Sequence, residues 1–313
     1  MGTGRWGINV VRSFARLDTV DLTVVIDPDP AALRRARAAA PGVHSASKAD
    51  DLRRRVDMVS VCTPSADHPD HALALLGQGL HVLVEKPLAM TPPRAEELVR
   101  EAALRGVTLM VGHQLLFHPA FRRLEELVAE GAIGRVVSLR AERSGLADME
   151  REPDVLWCYG PHDVAMILSL AGAAPLTVTA AGIPRRDGAG FETAAVNLTF
   201  ASGLDAEIRL SMVHSGRVRR LTVLGERGSA LFDDGMRGGR LTLLGKPVAV
   251  GPGEALALEC AHFVECATRN VEPRTGGAHA LLVTRVLSAA VSSARLGGET
   301  AVADARGEYV IAG

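Results

Sequence analysis

The stretch Gly2-Thr3-Gly4-Arg5-Trp6-Gly7 constrains this chain more than any other. Three glycines at GxGxxG spacing suit a dinucleotide-binding turn. The first permits the tight bend, the second lets backbone approach a pyrophosphate, and the third lets a helix pack close to a strand. Ile8 to Leu17 reads as the helix whose N-terminal amides would face the phosphates. Asp27 follows about twenty residues after the turn, where an acid would hold the adenosine ribose hydroxyls. Gly2, Gly4, Arg5, Trp6, Gly7 and Asp27 are therefore the first candidate cofactor residues. A carboxylate at Asp27 disfavours the extra phosphate of NADP. NAD is the expected cofactor, with NADP not excluded, since Arg34 and Arg35 lie within a helical turn.

A turn of this kind follows a central strand, yet only Met1 precedes it here. Without that strand its two neighbours would stand about 10 Å apart. Two outcomes are expected: a natural start several residues upstream, or a poorly closed domain.

The rest of the chain falls into two textures. Up to Pro119, apolar strands (Val24 to Ile26, Met58 to Cys62, Leu80 to Val84, Thr108 to Gly112) alternate with helical stretches, as in a parallel α/β domain. Beyond it, Leu204, Ala206, Ile208, Leu210 and Met212 alternate with Asp205, Glu207, Arg209 and Ser211, the period of a one-side-covered antiparallel strand. Helices are expected near Phe121 to Glu130, Pro161 to Leu170, Leu256 to Arg269 and Gly277 to Ala294. The predicted fold is α/β: a Rossmann domain over 1–119 with its first strand missing, then an α+β domain over 120–313 with a large, mostly antiparallel sheet.

A formal net charge of −1 leaves no basic footprint for nucleic acid or an anionic membrane, and Arg53 to Arg55 and Arg217 to Arg220 read as solvated faces. No apolar run is expected to reach the ~20 residues of a membrane span. The cysteines Cys62, Cys158, Cys260 and Cys266 form no CxxC pair, which suits free thiols and a cytoplasmic setting. His68 and His71 approach metal-ligand spacing, but no third ligand is in view and no metal is expected.

Lysine occurs only at Lys48, Lys86 and Lys246 in a chain rich in arginine. Guanidinium cannot give up its proton, whereas a buried ammonium can be driven toward its neutral form, so a titratable cation must be one of these three. Lys86 closes the strand Leu80 to Val84 at the carboxyl edge of the sheet, where open α/β domains bind ligands. A structural pairing with Glu85 is the alternative.

Four segments together carry a resemblance: Val61-Cys62-Thr63-Pro64 with His68; Gly79 through Val84-Glu85-Lys86-Pro87; Val111-Gly112-His113; and Gly160-Pro161-His162-Asp163. They resemble the Gfo/Idh/MocA family of glucose–fructose oxidoreductase and inositol dehydrogenase. The segment Val155 to Asp163, with Arg217 to Gly225, is similar to a subgroup acting on nucleotide-linked or phosphorylated sugars, often at the 3-position. The resemblance implies hydride transfer between a nicotinamide and a ring hydroxyl or ketone of a sugar-like substrate. It implies catalytic roles for Lys86 and His162, places His162 across from Lys86, and adds Thr63, Pro64, His68 and Glu85 to the cofactor site. His113 and Cys158 are expected near substrate. Many relatives carry Asp where this chain has Cys158, and a thiol is a poor hydrogen-bond partner. A homodimer or homotetramer through the C-terminal sheet is implied as well. A nicotinamide-binding protein without turnover is the second reading. A Rossmann methyltransferase is the third, and Lys86 with the antiparallel second domain argues against it.

Overall fold

The computed structural model describes residues 1–48, 52, 56–146, 154–235 and 240–302, so Arg53 to Arg55 lie outside the described residues. The chain opens with α1 (Gly7–Phe14), β1 (Val24–Ile26), α2 (Pro30–Ala39), β2 (His44–Ala46), β3 (Met58–Val61), α3 (His68–Gly77), β4 (His81–Glu85), α4 (Pro92–Arg105) and β5 (Leu109–Gly112). Asp29 caps α2 by accepting from Ala31 and Ala32, and Pro30 opens it with φ already helical. Gly106, at φ 63°, ends α4 in the left-handed conformation that glycine adopts without strain.

These strands form two parallel sheets rather than one: β1-β2, and β3-β4-β5. Val82, Val84 and Val111 are wholly buried in a core shared with Leu75 and Leu76 of α3 and Leu98 of α4. Met1 and Gly2 bridge the two sheets: Met1 bonds to Ser60 and Cys62 beside β3, and Gly2 to Ile26 of β1.

The next elements are α5 (Pro119–Ala129), β6 (Val136–Leu146), α6 (Val155–Cys158), α7 (Gly160–Ala171), β7 (Thr177–Pro184), β8 (Phe191–Thr199), β9 (Asp205–Ser211), β10 (Val213–Gly225), β11 (Gly228–Asp233), β12 (Arg240–Leu243) and β13 (Lys246–Pro247). After α8 (Ala255–Arg269) and α9 (Gly277–Leu296), β14 (Glu299–Ala301) completes a nine-stranded sheet, ordered β13-β12-β11-β10-β6-β9-β8-β7-β14. Every pairing in it is antiparallel except β6 with β9. The predicted alternation holds: Leu204, Ala206, Ile208, Leu210 and Met212 are all buried.

Contacts divide the chain into two units, Met1–Gln114 with Glu254–Thr284, and Leu115–Gly253 with the described residues 285–302. The texture of the sequence suggests a cut in chain order at 119. Contact follows the three-dimensional path instead, because α8 returns to the first unit and sets Phe263 edge-on to Phe14 of α1, ring centroids 6.5 Å apart. Helix α9 is long and apolar enough, by length and composition, to cross a membrane. Scattered Ser, Thr and Arg interrupt its apolar run, as the sequence shows. With 56% of its most apolar window buried inside the fold, it reads as a core helix.

Candidate active site

The glycine turn has the shape its spacing demands. Gly2 sits at φ 79°, and a Cβ there would press on the carbonyl of Cys62. A Cβ on Gly7 would run into the carbonyl oxygen of Gly2. Gly4 is different: its missing side chain faces open space. Closed packing at the outer glycines and an open approach at the middle one fit a pyrophosphate resting on backbone at the start of α1.

Asp27, at 8% exposure, braces this turn. Its Oδ2 accepts from the backbone N of Thr3 at 2.6 Å and from Thr3 Oγ1 at 3.2 Å, while Oδ1 accepts from the backbone N of Asp29 at 2.8 Å. Exposed Arg35 leans toward Asp29, 3.9 Å away. Arg5 is exposed, and Trp6 donates its indole N–H to Glu85. The turn and the end of β4 are thereby tied together.

Lys86 follows Glu85 directly, half-buried, at a cis bond to Pro87. Glu85 Oε2 accepts from the backbone N of Lys86 at 3.2 Å. Gly112 leaves room for the Glu85 carboxylate, since a Cβ there would lie 3.1 Å from it. Burial pushes the Glu85 carboxyl up, opposed by the Trp6 hydrogen bond and the charge of Lys86. His68 is 2% exposed, with its ring nitrogens 2.8 Å from the carbonyl oxygens of Pro87 and Thr63. It pins the chain after β4 to the chain after β3. His71 Nδ1 lies 3.2 Å from Thr63 Oγ1, while Pro64 stays exposed.

His113, 1% exposed at the end of β5, meets His279 of α9 edge-on, ring centroids 5.5 Å apart. Burial, His279 and the charge of Lys86 hold its pKa well below the ordinary histidine value. The imidazole is neutral at physiological pH.

In the second unit His162 is the third residue of α7, and Gly160 lets that helix start press against Leu287 and Leu210. Cys158 is buried at the end of α6, whose N-terminus Asp154 caps through Leu156 N at 2.8 Å. Asp163 is wholly buried and accepts two hydrogen bonds from Arg143 of β6, at 2.7 and 3.1 Å. It is thus committed to holding α7 on the sheet.

Several groups escape a reading of the sequence: the Trp6–Glu85 bond, the His113–His279 pair, the Arg143–Asp163 pair, and Glu259 of α8. Glu259 is 1% exposed, and its Oε1 has no hydrogen-bond partner among the described residues. Burial beside Glu85 raises its pKa well above the usual carboxyl value. None has a motif. Each of the three pairs joins residues at least twenty positions apart, and only an acid inside an apolar helix stretch (Leu256 to Val264) could have flagged Glu259.

Residues 1–113 match the family described as oxidoreductases with an NAD-binding Rossmann fold, and residues 121–231 match the GFO/IDH/MocA C-terminal domain. The chain belongs to the Gfo/Idh/MocA oxidoreductase family. Among curated members, a myo-inositol dehydrogenase of Streptomyces leeuwenhoekii is 30% identical over 73% of this chain and 74% of its own length. The UDP-N-acetylglucosamine 3-dehydrogenase of Acidithiobacillus ferrooxidans is 31% identical over 59% of this chain and 58% of its own. The match spans about half the length of three of the curated relatives, at 52%, 58% and 51%. Among solved structures, the WlbA dehydrogenase of Bordetella pertussis, in complex with NADH and UDP-GlcNAcA, superposes with a TM-score of 0.84. At 22% identity over 96% of this chain and 95% of that one, the likeness speaks for the shared Gfo/Idh/MocA fold.

Proposed function

We propose that this protein is an NAD-dependent dehydrogenase or ketoreductase acting on a ring hydroxyl or ketone of a sugar, nucleotide sugar or sugar phosphate. The observation that carries the reading is the tie from Trp6, inside the glycine turn, to Glu85, the residue before Lys86. One hydrogen bond couples the would-be pyrophosphate cradle to the strand end that presents the amine.

The open face of Gly4 and the amides opening α1 would hold the phosphates. The carboxylate of Asp27 would stand at the adenosine ribose, which favours NAD over NADP. When bound, NAD supplies the hydride acceptor. Oxidation of an alcohol also requires its proton to leave as the C–H bond breaks. Lys86 is assigned to hold the substrate oxygen and His162 to take that proton, roles that follow the family resemblance. Thr63 and Pro64 would border the cofactor, with His68 holding their turn in place. His113 and Cys158 remain candidates for contact with substrate. The division into a cofactor-binding and a substrate-binding part stays a proposal, as does self-association through the nine-stranded sheet.

The test is absorbance at the reduced-nicotinamide band with NAD or NADP and a panel of nucleotide sugars, sugar phosphates and inositols. Turnover of any sugar-like substrate with NAD supports the reading. Tight NAD binding with no turnover across the panel would favour the second reading, a nicotinamide-binding protein without catalysis. The buried thiol of Cys158, where many relatives carry a carboxylate, is the observation on that side.

A further inference from the structure

Two arginines stand directly opposite each other in the nine-stranded sheet: Arg143 of β6 and Arg219 of β10 are register partners. Opposite residues of an antiparallel pair share a face, so both lie on the face where Arg143 meets α7. Arg143 is 3% exposed there and gives two hydrogen bonds to Asp163. Arg219 is half-buried. Arg217 precedes it by two residues on β10, and the period of two puts the exposed Arg217 on the same face. The run Arg217 to Arg220 is therefore not one solvated face. Arg220 turns the other way and pairs with Asp233, its partner in register.

The charges on this covered face do not cancel. Asp163 answers Arg143. Asp234 Oδ2 accepts from Arg219 Nη1 at 3.3 Å, and its Oδ1 lies 4.0 Å from His118 Nε2. Burial, opposed by Asp234, holds the His118 imidazole below its ordinary pKa, so it is neutral at physiological pH. Three guanidiniums thus face two carboxylates, and Arg217 has no ion pair among the described residues. Asp234 engages Nη1 of Arg219 alone, leaving the Nε and Nη2 hydrogens available. Burial, then the charges of Arg143 and Arg217, pull the Arg219 guanidinium below its ordinary pKa, against Asp234. Guanidinium keeps its proton all the same. What remains is a repulsion among cations that an anion relieves.

We propose that Arg217 and Arg219 hold a phosphoryl group of the substrate, with Arg143 reinforcing the positive field behind them. Same-face neighbours on a strand stand about 6.8 Å apart. Two guanidinium forks at that spacing can take one phosphoryl between them, or the adjacent phosphoryls of a diphosphate. Guanidinium matches phosphate oxygens in bidentate pairs, which suits these positions better than a lysine would. Through Asp163, Arg143 also fixes the start of α7, and His162 is the residue before Asp163. The anion site and the proposed proton acceptor are thereby held to one strand pair. This assignment, which rests on the dehydrogenase reading above, narrows the substrate class to a sugar phosphate or a nucleoside-diphosphate sugar.

Calorimetric titration decides the matter. NAD is kept saturating, so that the glycine turn is occupied and does not take up the probes. UDP and glucose 1-phosphate are titrated into the parent, Arg217→Met and Arg219→Met. Affinity for a phosphorylated probe is expected to fall about tenfold to hundredfold in each variant, as loss of a hydrogen bond to a charged group does, with NAD affinity unchanged. Arg217→Met leaves the Arg219–Asp234 pair intact, so a folding defect in Arg219→Met does not blunt the test. Loss of UDP affinity alone identifies a nucleoside diphosphate as the source. Loss of glucose 1-phosphate affinity, with or without UDP, identifies the phosphoryl attached to the sugar. Parent-like affinity for both probes in Arg217→Met overturns the proposal, as does failure of both to bind the parent. Neither readout needs turnover. Turnover of an unphosphorylated sugar with no phosphate bound here would remove this site and keep the enzymatic reading, whereas arginine-dependent binding without turnover would do the reverse.

Discussion

Trp6 and Glu85, seventy-nine positions apart, share a hydrogen bond from the indole N–H to the carboxylate. It converts a glycine turn and a strand end into one rigid corner beside Lys86. Replacing Trp6 with Phe keeps the ring and deletes the donor. A hydrogen bond to a charged group contributes about 1.5–3 kcal/mol, and half-exposure reduces this, so NAD affinity is expected to fall about fivefold to tenfold. Titration calorimetry measures it. An unaltered Kd would show that the corner forms without the bond.

Lys86→Met removes the amine while keeping its aliphatic reach. Loss of a group at the proton-transfer position costs about 10²- to 10⁴-fold in kcat. NAD affinity, held mainly by the turn, should change by only about threefold. Steady-state rates on the best panel substrate, alongside NAD titration, separate the two effects. Full activity in the variant would remove the basis of the mechanism.

Glu259→Gln tests the buried carboxyl beside Glu85. Burial raises the Glu259 pKa above its usual value of 4.5, so the fold retains a proton that the unfolded chain releases. Stability from this group is fully present below pH 4.5 and declines as pH rises toward the folded value. The amide variant should be more stable than the parent at pH 8 by on the order of 1–3 kcal/mol, with the gap closing near pH 4.5. Urea denaturation across that range gives the answer. A gap that widens in acid would contradict it.

His113 works in the opposite direction. Burial, then His279 and Lys86, hold its pKa well below 6.5, so below that pH the unfolded chain binds a proton the fold refuses. The His113 contribution to stability is present above pH 6.5 and falls by up to about 1.4 kcal/mol for each pH unit below it. His113→Gln should flatten the acid limb of the melting-temperature profile. If the limb keeps its slope, another group sets it.

Arg143 and Asp163 form a buried pair holding α7 to β6. Removing one partner strands a charge and costs about 3–5 kcal/mol, whereas replacing both with apolar residues recovers most of that loss. Arg143→Met should therefore lower Tm sharply, and Arg143→Met with Asp163→Leu should restore it. Additive losses in the double variant would mean the pair is not coupled. Because His162 precedes Asp163, kcat is expected to fall in the single variant as well.

Much of this protein is written locally. The glycine spacing, the strand runs and the alternation from Leu204 to Met212 each depend on φ preference or side-chain period within a few residues, and these appear as predicted. What the local pattern does not contain is which distant segments meet. The return of α8 to the first unit, the face-to-edge meeting of His113 with His279, the burial of Glu259 and the commitment of Asp163 to Arg143 arise from packing across wide separations in sequence. Apolar surface is non-directional and can be buried in many ways, so only the closed tertiary structure selects the partner of each buried charge and ring.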